Sequence, residues 1–539
     1  MAADKSLPTI RRQLESVSLS SARTARHKII VGIDYGTTFS GVSYVTTDMS
    51  DVDDINIISS WPGERYTSWK TPTRIAYARE NELSRDKWGF EVSPNLKSYS
   101  WTKLLLDRNA APGEYDDPTL STMSNNGLMK LPRHRDAQGV CEDFLREIYH
   151  HMSMLLRQKL TYVIFDNTPM ECWITLPAIW SERAKEATLA ATRGAGFGSR
   201  QGDDVFTIAE PEAAAIAALK KYSDPNSLNH IKPNDHILIC DCGGGTVDLT
   251  TYTITQSIPR LEFAELCVGI GGKCGSTYID RNLHSFLQRR FGQVFEDVPY
   301  AQKGPGSNFM AKFEMIKRDF GLHDDDDVQD LGPIRLDTPD SEFYDEDDED
   351  IRSLFDPVIE DIKNLIGQQV TEATAKKSAN IDRIILVGGF AESPYLNKVL
   401  RQWCRDNGNI SIMCPDRPQA AVVLGAALRG LEGIAPHKKY ARQHYGLRLG
   451  FPFREGIDPE ELAYHDDWDN SKRCSGRMRW LIQKELKRLG ALYLLLGKIL
   501  TMGGAPDQIR VKFGNKGSNL TYHNVVNGER VSIARVDIS

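Results

Sequence analysis

Two segments decide the fold of this chain: IIVGIDYGTT, at residues 29–38, and ILICDCGGGT, at residues 237–246. Each runs from an apolar, β-branched strand to an aspartate, Asp34 or Asp241, and then to Gly and Thr residues and a second strand. Internal similarity at this separation predicts two related lobes, because the period of a solenoid repeat would be shorter. Two ordinary hairpins with glycine turns are the alternative, which the recurrence of the whole pattern disfavours.

The residue types in both turns suit a phosphate clamp around a metal ion. Glycines let backbone N–H groups approach a ligand closely, and successive N–H groups form a nest for phosphate. A carboxylate beside that nest would repel phosphate, unless a hydrated Mg²⁺ lies between the two. The segments therefore predict that a polyphosphate is held from both sides, with Asp34 and Asp241 facing Mg²⁺ through water.

Outward from these turns, strands alternate with helices. Strands are predicted over residues 27–33, 40–45, 172–175, 236–241, 247–254 and 384–387, and helices after Ser181, over 211–220 and over 418–428. This alternation favours an α/β architecture. A further helix would carry Glu314, Lys317 and Arg318 on one face, with a surface ion pair beside a core stripe as the alternative interpretation.

Composition excludes several classes of protein. Of 539 residues, 40% are hydrophobic and 26% are charged, as in proteins with apolar cores, and no stretch approaches the roughly 18 apolar residues of a membrane span. Nine cysteines without a Cys-x-x-Cys pair suggest neither a zinc site nor a disulfide framework, and they indicate a reducing compartment. There is no basic stripe with interleaved aromatics, so no nucleic-acid partner is expected. The Walker and Rossmann phosphate motifs are absent from the sequence.

Two segments differ from the rest in composition. Residues 1–27 are rich in Ser and Arg and lack the apolar stretch of a secretory signal, so we expect a disordered tail. A mitochondrial transit peptide is the alternative, which Asp4 and Glu15 weaken. Residues 324–350 contain 14 acidic side chains and one basic side chain, which dominate the net charge of −7. We expect a solvated acidic loop there rather than a docking site.

Taken in order, these elements resemble the ATPase domain of the seventy-kilodalton heat-shock chaperone family, the DnaK-like proteins of the actin, sugar-kinase and heat-shock superfamily. The resemblance covers about Lys28 to Gly433 and includes the two turns, the helical segments 209–217 and 418–427, and VGGFAESP at 387–394. It implies a bilobal actin-like ATPase fold with duplicated ribonuclease-H-like βαβ lobes. Lobe I would span about 28–230 and lobe II about 231–415 of a domain at 28–435, with the acidic loop in upper lobe II. The GGFAESP variant resembles the family's divergent branch, which lacks a lid.

The resemblance also implies roles for individual residues. Catalytic roles would fall on Asp34, Glu210, Asp241 and Asp248, and Asp34 and Asp241 would hold Mg²⁺ through water. The cofactor, ATP or ADP, would be bound by residues of the two turns, the adenosine helix and two further glycine pairs: Gly36, Thr37, Thr38, Phe39, Gly243, Gly244, Gly245, Thr246, Gly271, Gly272, Glu314, Lys317, Arg318, Gly388, Gly389 and Phe390.

The helical segments at 209–217 and 418–427 have a role in the family as well. They would cross at the hinge between the lobes, where the small residues Ala214, Ala421 and Gly425 permit close approach. Closure at this crossing would couple the nucleotide state to the rest of the chain.

Several positions depart from the family's pattern. The family's γ-phosphate lysine belongs to the region corresponding to residues 88–94, where the best-matched residue is Val92, and Lys87 or Lys97 is the nearest replacement. Four further positions depart from the family's pattern: Phe390 replaces a Ser, Glu392 a base-stacking Arg, Gln419 an Asp and Gly321 a Ser. We therefore expect altered nucleotide affinity and slow hydrolysis, because a positioned cation stabilises the charge of phosphoryl transfer.

The C-terminal part departs most from the pattern of the chaperone family. About 104 residues follow Ala435, which are too few for a β-sandwich together with a helical lid. Residues 436–539 are therefore predicted to be a truncated or degenerate remnant of the substrate domain. Within it, a strand is expected to start near Arg442 and an apolar helix to span residues 486–502.

The leading interpretation is an ATP-binding, nucleotide-gated, chaperone-like protein with weak Mg-dependent ATP hydrolysis and a role in protein folding. It would be a cytoplasmic monomer, with the nucleus as an alternative location, and its partners would be nucleotide and unfolded clients or co-chaperones, without nucleic acid or membrane. A second interpretation is a nucleotide-binding scaffold with little turnover. A third is a sugar or metabolite kinase of the same fold, and actin-like polymerisation is the least favoured.

Overall fold

The computed structural model describes residues 27–49, 52–64, 67–107, 114–116, 129–227, 229–322, 348–440, 445–466, 469–482, 487–488, 508–513, 520–526 and 529–535. The expected tail, apart from His27, and the expected acidic loop, apart from the helical backbone of residues 348–350, lie outside these ranges.

The first large sheet contains the first glycine turn. Its strands are β1 (Ile29–Asp34), β2 (Phe39–Thr46), β3 (Asn56–Ile57), β4 (Thr71–Pro72), β8 (Met170–Leu176) and β9 (Asp204–Ala209). They are ordered β3-β2-β1-β8-β9, with β4 also paired to β2. β1 is antiparallel to β2 and parallel to β8, and β8 is parallel to β9. The turn after β1 therefore lies at the same edge of the sheet as the carboxyl end of β8.

The second large sheet repeats this arrangement around the second glycine turn. Its strands are β10 (His236–Cys242), β11 (Val247–Gln256), β12 (Glu262–Glu265), β13 (Ile270–Gly272), β14 (Arg383–Val387) and β15 (Ser411–Met413). They are ordered β12-β11-β10-β14-β15, with β13 also paired to β11. Here too a central hairpin, β10–β11, is continued by two parallel strands. The predicted α/β class and the strands predicted at these positions are confirmed.

The helices vary from one turn to eight turns in length. They are α1 (Ala78–Asn81), α2 (Ala137–Leu160), α3 (Tyr162–Asn167), α4 (Glu182–Gly194), α5 (Glu210–Tyr222), α6 (Thr277–Phe291), α7 (Gln293–Asp297), α8 (Tyr300–Lys303), α9 (Asn308–Asp319), α10 (Asp348–Lys377), α11 (Pro394–Asp406) and α12 (Ala421–Glu432). Within the described ranges, none of them combines the length and the hydrophobicity of a transmembrane span.

The predicted helices begin at recognisable signals. Ser181 caps α4 by accepting a hydrogen bond from the backbone of Ala184. Pro211 lies in the first turn of α5, where its missing N–H costs nothing. The third predicted helix, at 418–428, starts as a 3-10 turn over Pro418–Ala420 and continues as α12. All three predictions are confirmed, with this change of geometry at the start of the third.

Helices α5 and α12 pack against each other between the sheets. One apolar cluster contains Ile30 of β1, Ile237 of β10, and alanines of both helices. A methyl group added at Gly425 would lie only 1.7 Å from the carbonyl oxygen of Ala213, so the two helix backbones touch without an intervening side chain. The predicted crossing of these helices is therefore present in the structure.

The remaining sheets are small. Near the first large sheet, β5 (Arg74–Ala76) pairs with β6 (Lys87–Trp88) and β7 (Tyr99–Ser100). The C-terminal part contains β16 (Lys439–Tyr440), β17 (Tyr445–Pro452), β18 (Ala463–His465), β19 (Lys472–Ile482), β20 (Lys487–Arg488), β21 (Gln508–Phe513), β22 (Leu520–Val526) and β23 (Glu529–Arg535). Their pairing orders are β16-β20, β17-β19-β18 and β21-β22-β23.

One C-terminal prediction is wrong where it can be compared. Residues 486–502 were expected to form an apolar helix, but Lys487 and Arg488 form strand β20, which pairs with Lys439 and Tyr440. The two charged residues carry no apolar face of their own, and pairing with β16 satisfies their backbone groups. The rest of that stretch, and Arg442 at the expected strand start, lie outside the described residues; β17 begins at Tyr445.

Candidate functional site

The two glycine turns face each other across a cleft between the large sheets. A methyl group added at Gly244 would lie 2.3 Å from Thr38 Oγ1, and one added at Gly245 would lie 2.3 Å from Thr37 Oγ1. Only residues without a side chain allow this approach. Gly36 is required for a local reason, because its Cβ would lie 2.1 Å from the Phe39 carbonyl oxygen. The structure thus brings together the residues of both predicted phosphate turns.

The carboxylates of the strand ends converge on the same cleft. Asp241 in β10 and Asp248 in β11 are paired across the central hairpin of the second sheet. Burial raises the pKa of Asp241 well above its ordinary value, and the negative charges of Glu210, Asp248 and Asp34 raise it further. The charges of the other three carboxyl groups therefore all act on Asp241.

Two hydrogen bonds orient the carboxylates. Thr175 Oγ1 donates to Asp34 Oδ1 at 3.2 Å, so β8 fixes the aspartate of β1. The backbone N–H of Ala178, just after β8, donates to Asp248 Oδ1 at 3.0 Å. The second contact runs from the first sheet to the second, so Asp248 also links the two halves of the cleft.

Glu210 is paired with a lysine that the sequence analysis did not identify. Lys103, in the 3-10 helix Thr102–Asp107, donates from Nζ to Glu210 Oε1 at 2.7 Å. The Lys103 side chain is only 2% exposed, and its ammonium group lies 5.7 Å and 5.3 Å from the ring centres of Tyr35 and Trp180. The cleft therefore has a buried, positioned cation.

The candidates proposed from the sequence lie elsewhere. Lys87 is paired with Glu91 at 3.5 Å and Lys97 with Glu80 at 2.6 Å, while Val92 is buried. The available signal for Lys103 was its place in the apolar run WTKLLL at residues 101–106, where a lysine has to be buried.

The pKa of Glu210 is raised to about 7. Burial is the largest cause; the Lys103 charge opposes it, and the charges of Asp34 and Asp248 add to it. A carboxyl group with this pKa is present in both protonation states at neutral pH, which suits a group that accepts a proton from water.

A second lysine, Lys70, also reaches the cleft. It directly precedes β4, whose residues Thr71 and Pro72 pair with Ser40 and Phe39 at the start of β2. Its Nζ lies 2.5 Å from Asp34 Oδ2. No motif in the sequence singles out this residue.

The predicted adenosine helix is α9, and its three charged residues lie on one face as expected. Lys317 is buried and its Nζ lies 2.8 Å from Asp280 Oδ1 and 2.7 Å from Glu314 Oε2. Burial opposes the charge of Lys317, but the two carboxylates outweigh it and raise the pKa of Lys317 to about 12. Arg318 donates to Glu314 at 2.9 Å, and its guanidinium group lies 5.6 Å from the ring centre of Phe39. This last contact joins α9 to the first phosphate turn.

The remaining predicted glycines border the same cleft. Gly388 has φ of 89°, and a methyl group there would lie 2.5 Å from Asp241 Oδ1. Gly389 faces open space among the described residues, since a methyl group added there would meet no heavy atom of a non-adjacent residue within 4 Å. Gly271 pairs with Asp248 through β13, and a methyl at the adjacent Gly272 would lie 2.4 Å from the carbonyl oxygen of Tyr115.

Phe390 begins a 3-10 turn directly after Gly389. It is 6% exposed and packs in the apolar core of the second sheet, so little of its ring is accessible, and its contact with the nucleotide stays a prediction. Burial raises the pKa of the nearby Glu392, while the charges of Arg318 and Lys70 and a hydrogen bond with Gln419 oppose this rise.

A surface cavity of about 500 Å³ lies apart from these residues and is lined by Tyr77, His134, Arg135 and Arg146 among others. Three arginines line it: Arg135 and Arg146, which are paired with Asp143 at 2.8 Å and 2.7 Å, and Arg79. The carboxylates of Asp86, Asp143 and Glu147 line the same cavity, so it suits phosphate less well than the two glycine turns do.

The residues of the cleft fit a nucleotide with a hydrated metal ion. In the part of the chain that the structure describes, no three His, Cys, Asp or Glu side chains are grouped to hold a metal ion directly. Mg²⁺ retains several of its waters and needs few protein carboxylates, so the separate carboxylates Asp34 and Asp241 suit water-mediated contact. The facing glycine turns supply the backbone groups for phosphate.

Comparisons with known proteins agree with this geometry. The sequence model of a family described as Hsp70 protein matches residues 30–435. The chain is 24% identical over 522 residues to heat shock 70 kDa protein 12A of Homo sapiens, covering 80% of this chain and 74% of that protein. It is 26% identical over 423 residues to the mitochondrial-type heat shock protein 70 of Encephalitozoon hellem, covering 74% and 62%. It is 26% identical over 413 residues to the chaperone protein HscA homolog of Rickettsia typhi, covering 76% and 58%.

Proposed function

Since the chain belongs to the Hsp70 protein family, we propose that it is a nucleotide-gated, chaperone-like protein that binds ATP and ADP with Mg²⁺ and hydrolyses ATP. Membership supports the coarser statement, a chaperone-like nucleotide-binding protein. The observation that carries the proposal further is the buried Lys103–Glu210 pair beside Asp34, Asp241 and Asp248, at the point where the two glycine turns meet.

We also propose the domain organisation that the resemblance implies. The ATPase domain spans 28–435, with duplicated lobes at about 28–230 and 231–415, and residues 436–539 are a reduced C-terminal region. The matching strand order of the two large sheets supports the duplication. The acidic segment 324–350 belongs to the second lobe in this proposal.

Each group has a task in the proposed hydrolysis. The turns at residues 36–39 and 243–246 hold the phosphates through backbone N–H groups and Thr hydroxyls. Bound Mg²⁺ supplies positive charge against the phosphate oxygens. Glu210 orients the attacking water and accepts its proton, and Lys103 holds the Glu210 carboxyl in place while adding positive charge.

Lys103 changes the expectation of slow hydrolysis. That expectation rested on the absence of a lysine at the γ-phosphate position, and a buried ammonium group is present beside Glu210. The scaffold interpretation therefore loses its main support. The departure at Glu392 remains, and we propose that it alters affinity at the nucleoside end rather than the chemistry.

We propose that the contact of α5 with α12 couples the nucleotide state to the rest of the chain. Closure around a nucleotide would rotate the helices where Gly425 meets Ala213. The C-terminal region is attached to the same helix, because Lys439 Nζ of β16 lies 2.6 Å from Glu212 Oε2 of α5. Movement of α5 can thus be passed to the C-terminal strands. We propose unfolded proteins or co-chaperones as the partners that respond, and a cytoplasmic monomer as the working form.

Calorimetric titration with ATP and ADP in Mg²⁺, followed by single-turnover hydrolysis, tests this proposal. Glu210→Gln should retain binding and lose about 10²–10⁴-fold in hydrolysis, the range for a general base. Glu171→Gln is the matched control, because Glu171 is likewise a buried carboxylate that is paired with a lysine, Lys28, and this pair lies at the other end of β1. Absence of binding by the wild type would overturn the proposal, and binding without hydrolysis would leave the scaffold interpretation. Stimulation of turnover by an unfolded client tests the chaperone role.

A further inference from the structure

Lys70 brings a second ammonium group into the cleft, in addition to Lys103. Its side chain is 12% exposed, and its Nζ lies 2.5 Å from Asp34 Oδ2. The other oxygen of Asp34 accepts a hydrogen bond from Thr175 Oγ1. Both oxygens of the carboxylate proposed to face the metal are therefore already bonded to donors of the protein itself.

The surrounding strands are built to place Lys70 there. Gly41 is the residue of β2 that pairs with Asp34 of β1. A methyl group added at Gly41 would lie 3.1 Å from Lys70 Cγ and 3.7 Å from Lys70 Cε, so the lysine stem passes directly over this glycine. Ser68 Oγ donates to the Lys70 carbonyl oxygen at 2.7 Å and holds the segment before β4. The stem thus crosses β2 in close contact with Gly41.

The charge balance of the cleft explains what such a lysine can do. Four carboxyl groups, those of Asp34, Glu210, Asp241 and Asp248, converge there, and Lys103 is already paired with Glu210. A nucleotide polyphosphate adds further negative charge, which has to be neutralised for binding. Mg²⁺ is the usual source of that neutralisation, but Lys70 offers a cation that is always present.

We propose that Lys70 sets the metal dependence of nucleotide binding, acting as a resident counter-ion on Asp34 so that ADP and ATP bind without Mg²⁺. This inference rests on the proposed nucleotide-binding function. The flexible four-carbon stem of lysine lets the ammonium group remain near Asp34 while it also approaches a phosphate oxygen. A hydrated Mg²⁺ that contacts Asp34 Oδ2 has to displace this ammonium group, so the metal adds little affinity.

Calorimetric titration of the full chain with ADP, once with Mg²⁺ and once with EDTA, tests the proposal. For the wild type we expect the two dissociation constants to agree within about tenfold. For Lys70→Met we expect binding in Mg²⁺ to persist while binding in EDTA weakens by about a hundredfold or more, because Asp34 has lost its counter-ion while Lys103 remains engaged with Glu210. Lys70→Arg, which keeps the charge, should retain binding in EDTA. Lys28→Met removes a lysine that is paired with another buried carboxylate, Glu171, outside the cleft and should behave as the wild type.

A second measurement does not depend on nucleotide. Mn²⁺ can replace Mg²⁺ as a probe, and its free concentration can be followed by electron paramagnetic resonance in a titration of the protein alone. The Lys70→Met protein should take up Mn²⁺ at lower concentration than the wild type, since Asp34 Oδ2 is no longer occupied. A circular dichroism spectrum and a thermal midpoint of each variant establish that it is folded.

The outcomes separate the role of Lys70 from nucleotide binding itself. Wild-type protein that binds ADP in Mg²⁺ but not in EDTA overturns the role of Lys70 and leaves the nucleotide-binding proposal intact. Equal loss of binding in both buffers on Lys70→Met, or no loss in either, also overturns it. Wild-type protein that binds ADP in neither buffer overturns both proposals together. If Lys70→Met is unfolded, Lys70→Gln takes its place in both titrations, with the same expected loss of binding in EDTA.

Discussion

Replacing Glu210 with Gln should make the protein more stable at high pH while it disables hydrolysis. Glutamine has the shape of a protonated glutamate, and its side-chain oxygen can still accept the hydrogen bond from Lys103 Nζ that Glu210 Oε1 accepts at 2.7 Å. What the substitution removes is the negative charge, which burial and the neighbouring carboxylates disfavour. The effect on stability can therefore be worked out from the pKa of Glu210.

In the folded protein the pKa of Glu210 is about 7, compared with an ordinary value of 4.5. The folded state thus holds this proton more tightly than the unfolded state, so the wild-type free energy of unfolding falls as the pH rises from about 4.5 to about 7. At about 1.4 kcal/mol for each pH unit, the full fall is about 3 kcal/mol. The Gln variant lacks this fall. It should match the wild type near pH 4.5 and exceed its free energy of unfolding by about 3 kcal/mol at pH 8.

Urea unfolding followed by tryptophan fluorescence, at several pH values between 4.5 and 8, measures this difference. Glu91→Gln provides a control of opposite sign. Burial of Glu91 is outweighed by Arg85 and Lys87, which hold the pKa of Glu91 below its ordinary value. Glu91 therefore contributes stability that is present above its unfolded pKa and is lost as the pH falls. Our reasoning is refuted if Glu210→Gln is less stable than the wild type at pH 8, or if its advantage is the same at every pH.

Three further substitutions test other parts of the structure. Lys103→Met removes the charge that lowers the pKa of Glu210, so the acid limb of the pH–rate profile for ATP hydrolysis should move upward by about 1–3 pH units; an unmoved limb would contradict the assignment. Gly425→Ala places a methyl group 1.7 Å from the carbonyl oxygen of Ala213 and should cost about 3 kcal/mol or more in unfolding experiments, whereas a neutral effect would mean that the helices are farther apart. Gly244→Ala places a methyl group 2.3 Å from Thr38 Oγ1 and so forces the two glycine turns apart; it should weaken ADP binding at least about tenfold in calorimetry, and unchanged affinity would argue against these turns as the phosphate site.

The parts of the site that the sequence could predict are those encoded locally. An apolar run that ends in Asp34 or Asp241 and continues into glycines specifies a strand, a turn and the position of the carboxylate within about ten residues. The helical face with Glu314 and Lys317 follows from i, i+3 spacing in the same way. These features need no knowledge of the rest of the chain, and the structure has them where they were expected.

The two lysines of the cleft could not be predicted in that way. Lys103 meets Glu210 across 107 positions of sequence, and the contact depends on a short 3-10 helix that has no hydrophobic period to reveal it. Lys70 reaches Asp34 because the two-residue strand β4 pairs with β2, and so short a strand has no detectable alternation. The burial of Phe390 could not be predicted for a related reason, since only the packing of the second sheet decides that its ring turns into the core.

The contact of Gly425 with Ala213 has a mechanical consequence for α5. If this contact is the pivot of the proposed closure, Glu210 lies three residues from it, or about 4.5 Å along the helix axis, whereas Lys220 lies seven residues away, or about 10.5 Å. A rotation then moves the end that carries Glu210 about half as far as the other end, where Lys220 Nζ lies 2.8 Å from Glu432 Oε2 of α12. The helix works as a lever with its short arm in the cleft. The Glu210 carboxyl group therefore stays close to its partners, while the larger displacement occurs near Lys220. There the Lys220–Glu432 ion pair resists the rotation of α5.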